Sequence, residues 1–234
     1  MIPWQLLDSA PVPDSTGTLH LYQRGKEFSI RVDRLELMNS RVHGSEDALA
    51  EMACAGIAER AAARVLIGGL GMGFTVAAAL ERLRDDAEIV VAELSPAVVA
   101  WNRGPLMDLA GRPLESNRVT VREVDVAQIL RTVSASFDAI LLDVDNGPEA
   151  LTRRSNRWLY GQSGLAAAWK ALRPGGVLGI WSVGPNQPFA EWLRQSGYVV
   201  EESRVRARAT NKGAWHTIWI AKRDANGSPG QGSP

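Results

Sequence analysis

The chain has a single cysteine, Cys54, in 234 residues. No internal disulfide can form, and a cysteine-rich metal site is excluded. Its three histidines, His20, His43 and His216, match no metal-ligand spacing and read as structural or exposed, so no metal is expected. Neither sign of charge is in surplus. Lys+Arg and Asp+Glu both total 26, which leaves no dominant electrostatic grip on nucleic acid or on an anionic membrane. No apolar run approaches the ~18 residues that suggest a membrane span. The start, Met1-Ile2-Pro3-Trp4-Gln5, has neither the basic residues nor the apolar stretch of a signal peptide. The expectation is a cytoplasmic protein with no nucleic-acid and no membrane partner. A nucleophile elbow is also missing, because Gly161-Gln162-Ser163-Gly164 lacks the strand, nucleophile and helix that such an elbow needs. No internal repeat is visible. Hydrophobic content of 45% and charged content of 22% fit an ordinary globular protein of one large domain, or one domain with a small appendage. The eight tryptophans fill a core or line a pocket, and the sequence does not divide them between those roles.

The most informative stretch is Arg64-Val65-Leu66-Ile67-Gly68-Gly69-Leu70-Gly71-Met72-Gly73-Phe74-Thr75. Val65 to Ile67 reads as a buried strand, and Phe74 to Arg84 as a helix. Between them Gly69, Gly71 and Gly73 allow a tight turn and close approach of a ligand to the main chain. The helix start adds unpaired N–H groups and a partial positive charge. An acidic residue, Glu93, ends the next strand roughly twenty residues on, which makes the nucleotide-type fingerprint credible.

From residue 64 strands and helices alternate. Strands are expected at 64–68, 88–93, 118–123, 137–143 and 176–182, and helices at 74–84, 96–103, 127–133, 159–172 and 188–196. Two further antiparallel strands follow at 198–206 and 214–221. The fold expected is α/β, Rossmann-like and doubly wound, with a mostly parallel seven-stranded sheet of methyltransferase type. Residues 18–40 alternate apolar and polar across the turn Arg24-Gly25-Lys26 and read as a small N-terminal antiparallel β unit. Residues 1–17, with Pro3, Pro11 and Pro13, read as an irregular arm. A helix at 45–63, with Ser45 as its N-cap, links the unit to the glycine strand. The domains expected are 1–60, 61–223 and a disordered tail at 224–234.

Ligands of open parallel sheets bind beyond the carboxyl ends of the strands. Glu93 there could accept both hydroxyls of a ribose, or be a solvated acid. Asp125 could accept from an adenine amino group, cap the following helix, or do both. Asp143 ends the strongly apolar Ala139-Ile140-Leu141-Leu142 and should be partly desolvated with a raised pKa. That suits a general base or an anchor for a charged amine, with Asp145 and Asn146 adding polar groups in the same turn. Asp-Asn-Gly-Pro is also ordinary turn chemistry. The run Arg204-Val205-Arg206-Ala207-Arg208 reads as the solvated face of an edge strand.

These residues resemble the spermidine synthases and related polyamine aminopropyltransferases, which share the fold of class I methyltransferases bound to S-adenosylmethionine. The resemblance runs over residues 18–222. It rests on Glu51-Met52, the glycine stretch, Val91-Ala92-Glu93, Phe137 to Asp143, Gly147-Pro148, Leu159-Tyr160 and Leu172-Arg173-Pro174-Gly175-Gly176. It implies a transferase using S-adenosylmethionine or its decarboxylated form as co-substrate, a small amine-type acceptor and a homodimer. By this resemblance Gly69, Gly71, Met72 and Gly73 form the cofactor turn. Glu93 with Leu94 holds the ribose, and Asp125 with Val126 the adenine. Asp143, with Asp145 and Asn146, orients and deprotonates the amine.

The departures matter equally. Met72 stands where the family has an Asp that grips the donor's aminopropyl amine. Leu49 and Ala50 replace a Tyr-His pair, Ser40 a Gln, Leu165 an aromatic, and Ala209-Thr210-Asn211 a Pro-Thr-Tyr segment. Two further readings therefore stand beside aminopropyl transfer: methyl transfer to a small molecule, and a non-catalytic nucleoside-binding protein.

Overall fold

The computed structural model describes residues 2–144, 156–208 and 212–224. The chain begins with a four-stranded antiparallel meander, β1 (Gln5–Pro11), β2 (Thr18–Arg24), β3 (Glu27–Val32) and β4 (Leu35–Asn39). Its first strand corrects the expectation of an irregular arm. Strand β1 escapes a period-2 reading because a bulge between Leu6 and Asp8 breaks the alternation. Pro3 precedes it and Pro11 is its last residue. It is tied down by Asp8, whose Oδ2 accepts from Trp101 Nε1 at 2.7 Å.

Helix α1 (Gly44–Cys54) follows, shorter than expected and continued by a 3-10 turn at Ala55–Ile57. Ser45 is not its N-cap. His43 holds that position without a side-chain cap bond, and Ser45 is buried inside the first turn. Then come β5 (Arg64–Gly68), α2 (Phe74–Arg82), β6 (Glu88–Ala92), α3 (Pro96–Arg103), β7 (Val119–Arg122), α4 (Val126–Thr132) and β8 (Phe137–Leu142). Ser95 caps α3, with Pro96 in the first turn as expected. The expected helix at 159–172 is instead two pieces, α5 (Asn156–Leu159) and α6 (Gln162–Ala171). The chain ends with β9 (Leu172–Ser182), α7 (Gln187–Gln195), β10 (Val199–Arg208) and β11 (Lys212–Lys222).

The seven strands lie in the order β10-β11-β9-β8-β5-β6-β7, parallel from β7 to β9, with β11 antiparallel to both of its neighbours. The doubly wound α/β expectation holds. Alternate residues of the central strands feed two cores. Val65, Ile67, Ile89, Val91, Ala139 and Leu141 face one side; Leu66, Val90, Ile140 and Leu142 face the other. The first core continues without a break through Leu49 of α1 to Leu21 and Ile30 of the meander. Strand β10 is the sheet edge, as its arginine pattern suggested.

The order reverses between β5 and β8. The chain leaves β5 toward β6 and β7, then returns to β8 on the other side of β5. In open sheets of this kind ligands bind beyond the carboxyl ends of the strands at such a switch point. No described helix is long and apolar enough to cross a membrane.

Candidate active site

The glycine turn sits at the switch point. Gly69, Gly71 and Gly73 all have positive φ, at 89°, 52° and 86°. Gly69 is the most constrained, because a Cβ there would overlap the carbonyl oxygen of Asp143. The glycine stretch and the end of β8 are thus in direct backbone contact. Asn102 of α3 braces the turn, with its Nδ2 donating to the Gly71 carbonyl at 2.9 Å.

Glu93 follows β6 and links two loops. Its Oε2 accepts from the Leu70 N–H at 2.9 Å and its Oε1 from the Ser95 N–H at 2.7 Å. These bonds fix the carboxylate plane beside the glycine turn. Leu94 is half-buried next to it. Asp125 is the N-cap of α4, accepting from the Ala127 N–H at 2.8 Å, so one of its alternatives is realised. Val126 is buried, and its methyl groups close on the end of β5 at Gly68. Met72 has its side chain in the core at 1% exposure, so only its backbone belongs to the turn.

Asp143 stands at the end of β8, its N–H bonded to the Gly68 carbonyl at 2.9 Å. Thr75, in the first turn of α2, donates its hydroxyl to Asp143 Oδ2 at 2.6 Å. Burial raises the Asp143 pKa to about 6, and the Thr75 bond only partly opposes this. A carboxylate so tuned can take up and give back a proton near neutral pH. Asp145 and Asn146 lie outside the described residues, as does the segment Ala209-Thr210-Asn211.

A second acid, missed in the sequence, faces the same charge. Glu46 of α1 is 8% exposed, and its pKa is raised to about 8, first by burial and then by the negative charge of Asp143. Read along the chain, Ser45-Glu46-Asp47 is an ordinary acidic first turn of a helix. Only the packing of α1 across the sheet buries Glu46. His43 in the preceding turn stacks on Phe74 of α2, ring centroids 4.0 Å apart, and its pKa is raised by its bond to Asp47.

The replaced positions are absorbed into the structure. Leu49, Ala50 and Leu165 are core residues, and Ser40 Oγ accepts from the Phe28 N–H at 2.9 Å. Among the described residues no group of three or more His, Cys, Asp and Glu could hold a metal ion.

No protein-family model matches the chain, and no curated protein matches it. Solved structures do. A spermidine synthase in complex with the transition-state analogue AdoDATO superposes with a TM-score of 0.73 and 15% identity, over 94% of this chain and 73% of that one. This is the spermidine synthase fold. The spermidine synthase from Thermotoga maritima gives a TM-score of 0.70 at 14% identity, over 94% and 74% of the two chains. A protein assigned as an O-methyltransferase from Klebsiella pneumoniae gives 0.54 at 20% identity, over 77% and 80%. The likeness to the spermidine synthases covers nearly the whole chain, and that to the O-methyltransferase structure covers less of it.

Proposed function

We propose that this protein is a transferase that binds an S-adenosyl-type donor and alkylates a small amine, with Asp143 as the base. One observation carries the reading. Asp143 is a half-buried carboxylate with a pKa raised to about 6, at the switch point of a spermidine synthase fold and in backbone contact with the glycine turn.

The residues present suit such a donor. Glu93, oriented by two backbone N–H groups, would accept the ribose hydroxyls. Asp125, beside the buried Val126, would receive the adenine amino group on the oxygen not used in capping. The glycine turn, free of side chains at three positions, would let the ligand approach the main chain. The donor supplies a carbon made electrophilic by its sulfonium. The chain supplies position, exclusion of water and removal of a proton. Ionised Asp143 takes that proton from the acceptor nitrogen as the nitrogen becomes cationic.

Methyl transfer is the second reading, and Met72 favours it. Its side chain is in the core, so that position offers no anion to hold a cationic aminopropyl arm. Calorimetric binding of S-adenosylmethionine, its decarboxylated form and methylthioadenosine separates the two. Preference for the carboxylated form sinks aminopropyl transfer. If neither donor binds and no amine is alkylated, the transferase reading fails and the non-catalytic alternative takes its place.

A further inference from the structure

The N-terminal unit bends over the glycine turn and the start of α2 at two points. Met38 of β4 lies against Gly71, where its Sδ stands 3.0 Å from the place a Cβ would take. Four residues after β4, the ring of His43 lies flat on Phe74, the first residue of α2, with centroids 4.0 Å apart and planes 10° from parallel. The polar side chains bonded to the turn and the start of α2, or packed on them, are Glu93, Asn102, Thr75, Asp143 and His43. Of these, His43 is the one that can carry positive charge, and the chemistry above makes no use of it.

His43 is held on two sides. Phe74 fixes the plane of the ring, and Asp47 Oδ2 lies 2.8 Å from Nδ1. A carboxylate can only accept, so Nδ1 carries a proton. Nε2, across the ring, is then a lone pair in the neutral imidazole and a second N–H in the imidazolium. It bonds to no described group, and the side chain is partly exposed.

We infer that His43 anchors a carboxylate on the donor, and that the donor is S-adenosylmethionine and not its decarboxylated form. The inference rests on the proposed function, with the ribose on Glu93 and the chemistry at Asp143. Glu93 is bonded to the Leu70 N–H and Asp143 to the Thr75 hydroxyl, so a donor that reaches from one to the other crosses Gly71 and Gly73 and ends at the first turn of α2. The amino-acid arm of the sulfonium ends in an ammonium and a carboxylate. In the decarboxylated form it ends in an ammonium alone. Asp143 repels a carboxylate brought to this place, so the arm needs a cation, and the imidazolium Nε2–H supplies one with a charge-assisted hydrogen bond. An arm that ends in an ammonium alone gains nothing from that cation and is repelled by it. His43 binds the donor and takes no part in the transfer step.

The groups that set the charge of His43 are known. Its bond to Asp47 favours the imidazolium, partial burial opposes it, and Glu46 adds to the first effect. From α2 the ring meets Phe74, which does not titrate, and Asp143 from β8 is reached through Thr75. An anion at Nε2 favours the imidazolium further. Binding of the carboxylated donor therefore takes up protons above the His43 pKa, and its affinity falls as pH rises past that point.

Calorimetric titration of the full chain with S-adenosylmethionine, its decarboxylated form and methylthioadenosine, at about pH 6 and about pH 9, tests the anchor. Wild type should bind the carboxylated form about tenfold tighter than the decarboxylated one at the lower pH, and the preference should shrink at the higher. His43→Gln should weaken S-adenosylmethionine about tenfold and leave methylthioadenosine, which lacks the charged arm, unchanged. His43→Lys restores a cation and should recover the preference without its decline between the two pH values. If His43→Gln does not fold, Asp47→Asn keeps an acceptor for Nδ1 and should move the decline to lower pH. In nitrogen-15 NMR at about pH 8, S-adenosylmethionine should shift the His43 signal toward the imidazolium, and methylthioadenosine should not. Equal or tighter binding of the decarboxylated form by wild type overturns the anchor. So does a His43→Gln that weakens all three ligands alike, which would make the ring only a brace of the N-terminal unit on α2. Methylthioadenosine bound without a preference for the carboxylated donor defeats the anchor alone; no binding of methylthioadenosine defeats the proposed function and the anchor with it.

Discussion

Strand β8 has an aspartate near each end, and the protein surrounds the two in opposite ways. Asp138, fully buried at the amino end, receives Arg60 at 2.5 Å, Arg173 at 2.7 Å and the Arg64 N–H at 2.7 Å. Asp143, at the carboxyl end, receives one neutral hydroxyl, from Thr75, and faces a second acid in Glu46. Two guanidiniums and an amide compensate the first charge, which pins the loop before β5 and the turn in β9 to the base of the sheet. The second charge is left under-compensated at the carboxyl end of the strand, half-buried and beside the glycine turn. The residue type is the same; the partners differ, and with them the ease of holding a charge.

The largest effect expected is on chemistry. Asp143→Asn should reduce transfer by about 100-fold or more, as for loss of a general base, and leave the unfolding free energy unchanged or higher. Single-turnover rates and urea titration read the two sides. A transfer rate that survives the change would erase the contrast between the ends of β8. Asp138→Ala should do the reverse. It strands two guanidiniums and an amide, and should cost about 3 kcal/mol of stability, limited because both arginines reach water. Donor affinity measured at a temperature where the variant is folded should not change.

Stability against pH sharpens the comparison further. Glu46 has a folded pKa of about 8, above its ordinary 4.5, so the folded state binds more protons than the unfolded state between those values. Stability therefore falls as pH rises through that window. Glu46→Gln should remove much of the slope, by a few kcal/mol between about pH 5 and 9, in denaturant titrations across that range. The smallest effect concerns Thr75. Its bond lowers the Asp143 pKa, so Thr75→Val should move the acid limb of the rate profile up by about one pH unit. An unmoved or lowered limb would mean that the hydroxyl does not stabilise the ionised form.

Much of the frame was legible in the residues. The alternation of apolar runs with helical segments, the glycines after Ile67 and the acid after Ala92 placed the sheet and its switch point. Asp143 was legible too, because an acid after four apolar strand residues has little water around it. The capping role of Asp125 was among its alternatives. Strand β1 was hidden because its bulge removes the period that marks a strand. Ser45 was misread because Ser before two acids is the ordinary sign of a helix start, and nothing local says that the first turn will be buried. The role of Met72 changed for a similar reason: in a turn of positive-φ glycines, the direction of the one side chain follows from the fold around it.

The sequence by itself determined the order of elements, the parallel sheet and the place where its loops part, because periodicity and glycine chemistry act over a few residues. Tertiary structure decided which charges are answered. Arg60 and Arg173 reach Asp138 only when the loop before β5 and strand β9 meet β8, and Ser45 meets His216 only when helix α1 packs across the sheet onto β11. Electrostatic partners in a protein interior are chosen by proximity in space, and a reading along the chain does not carry that distance.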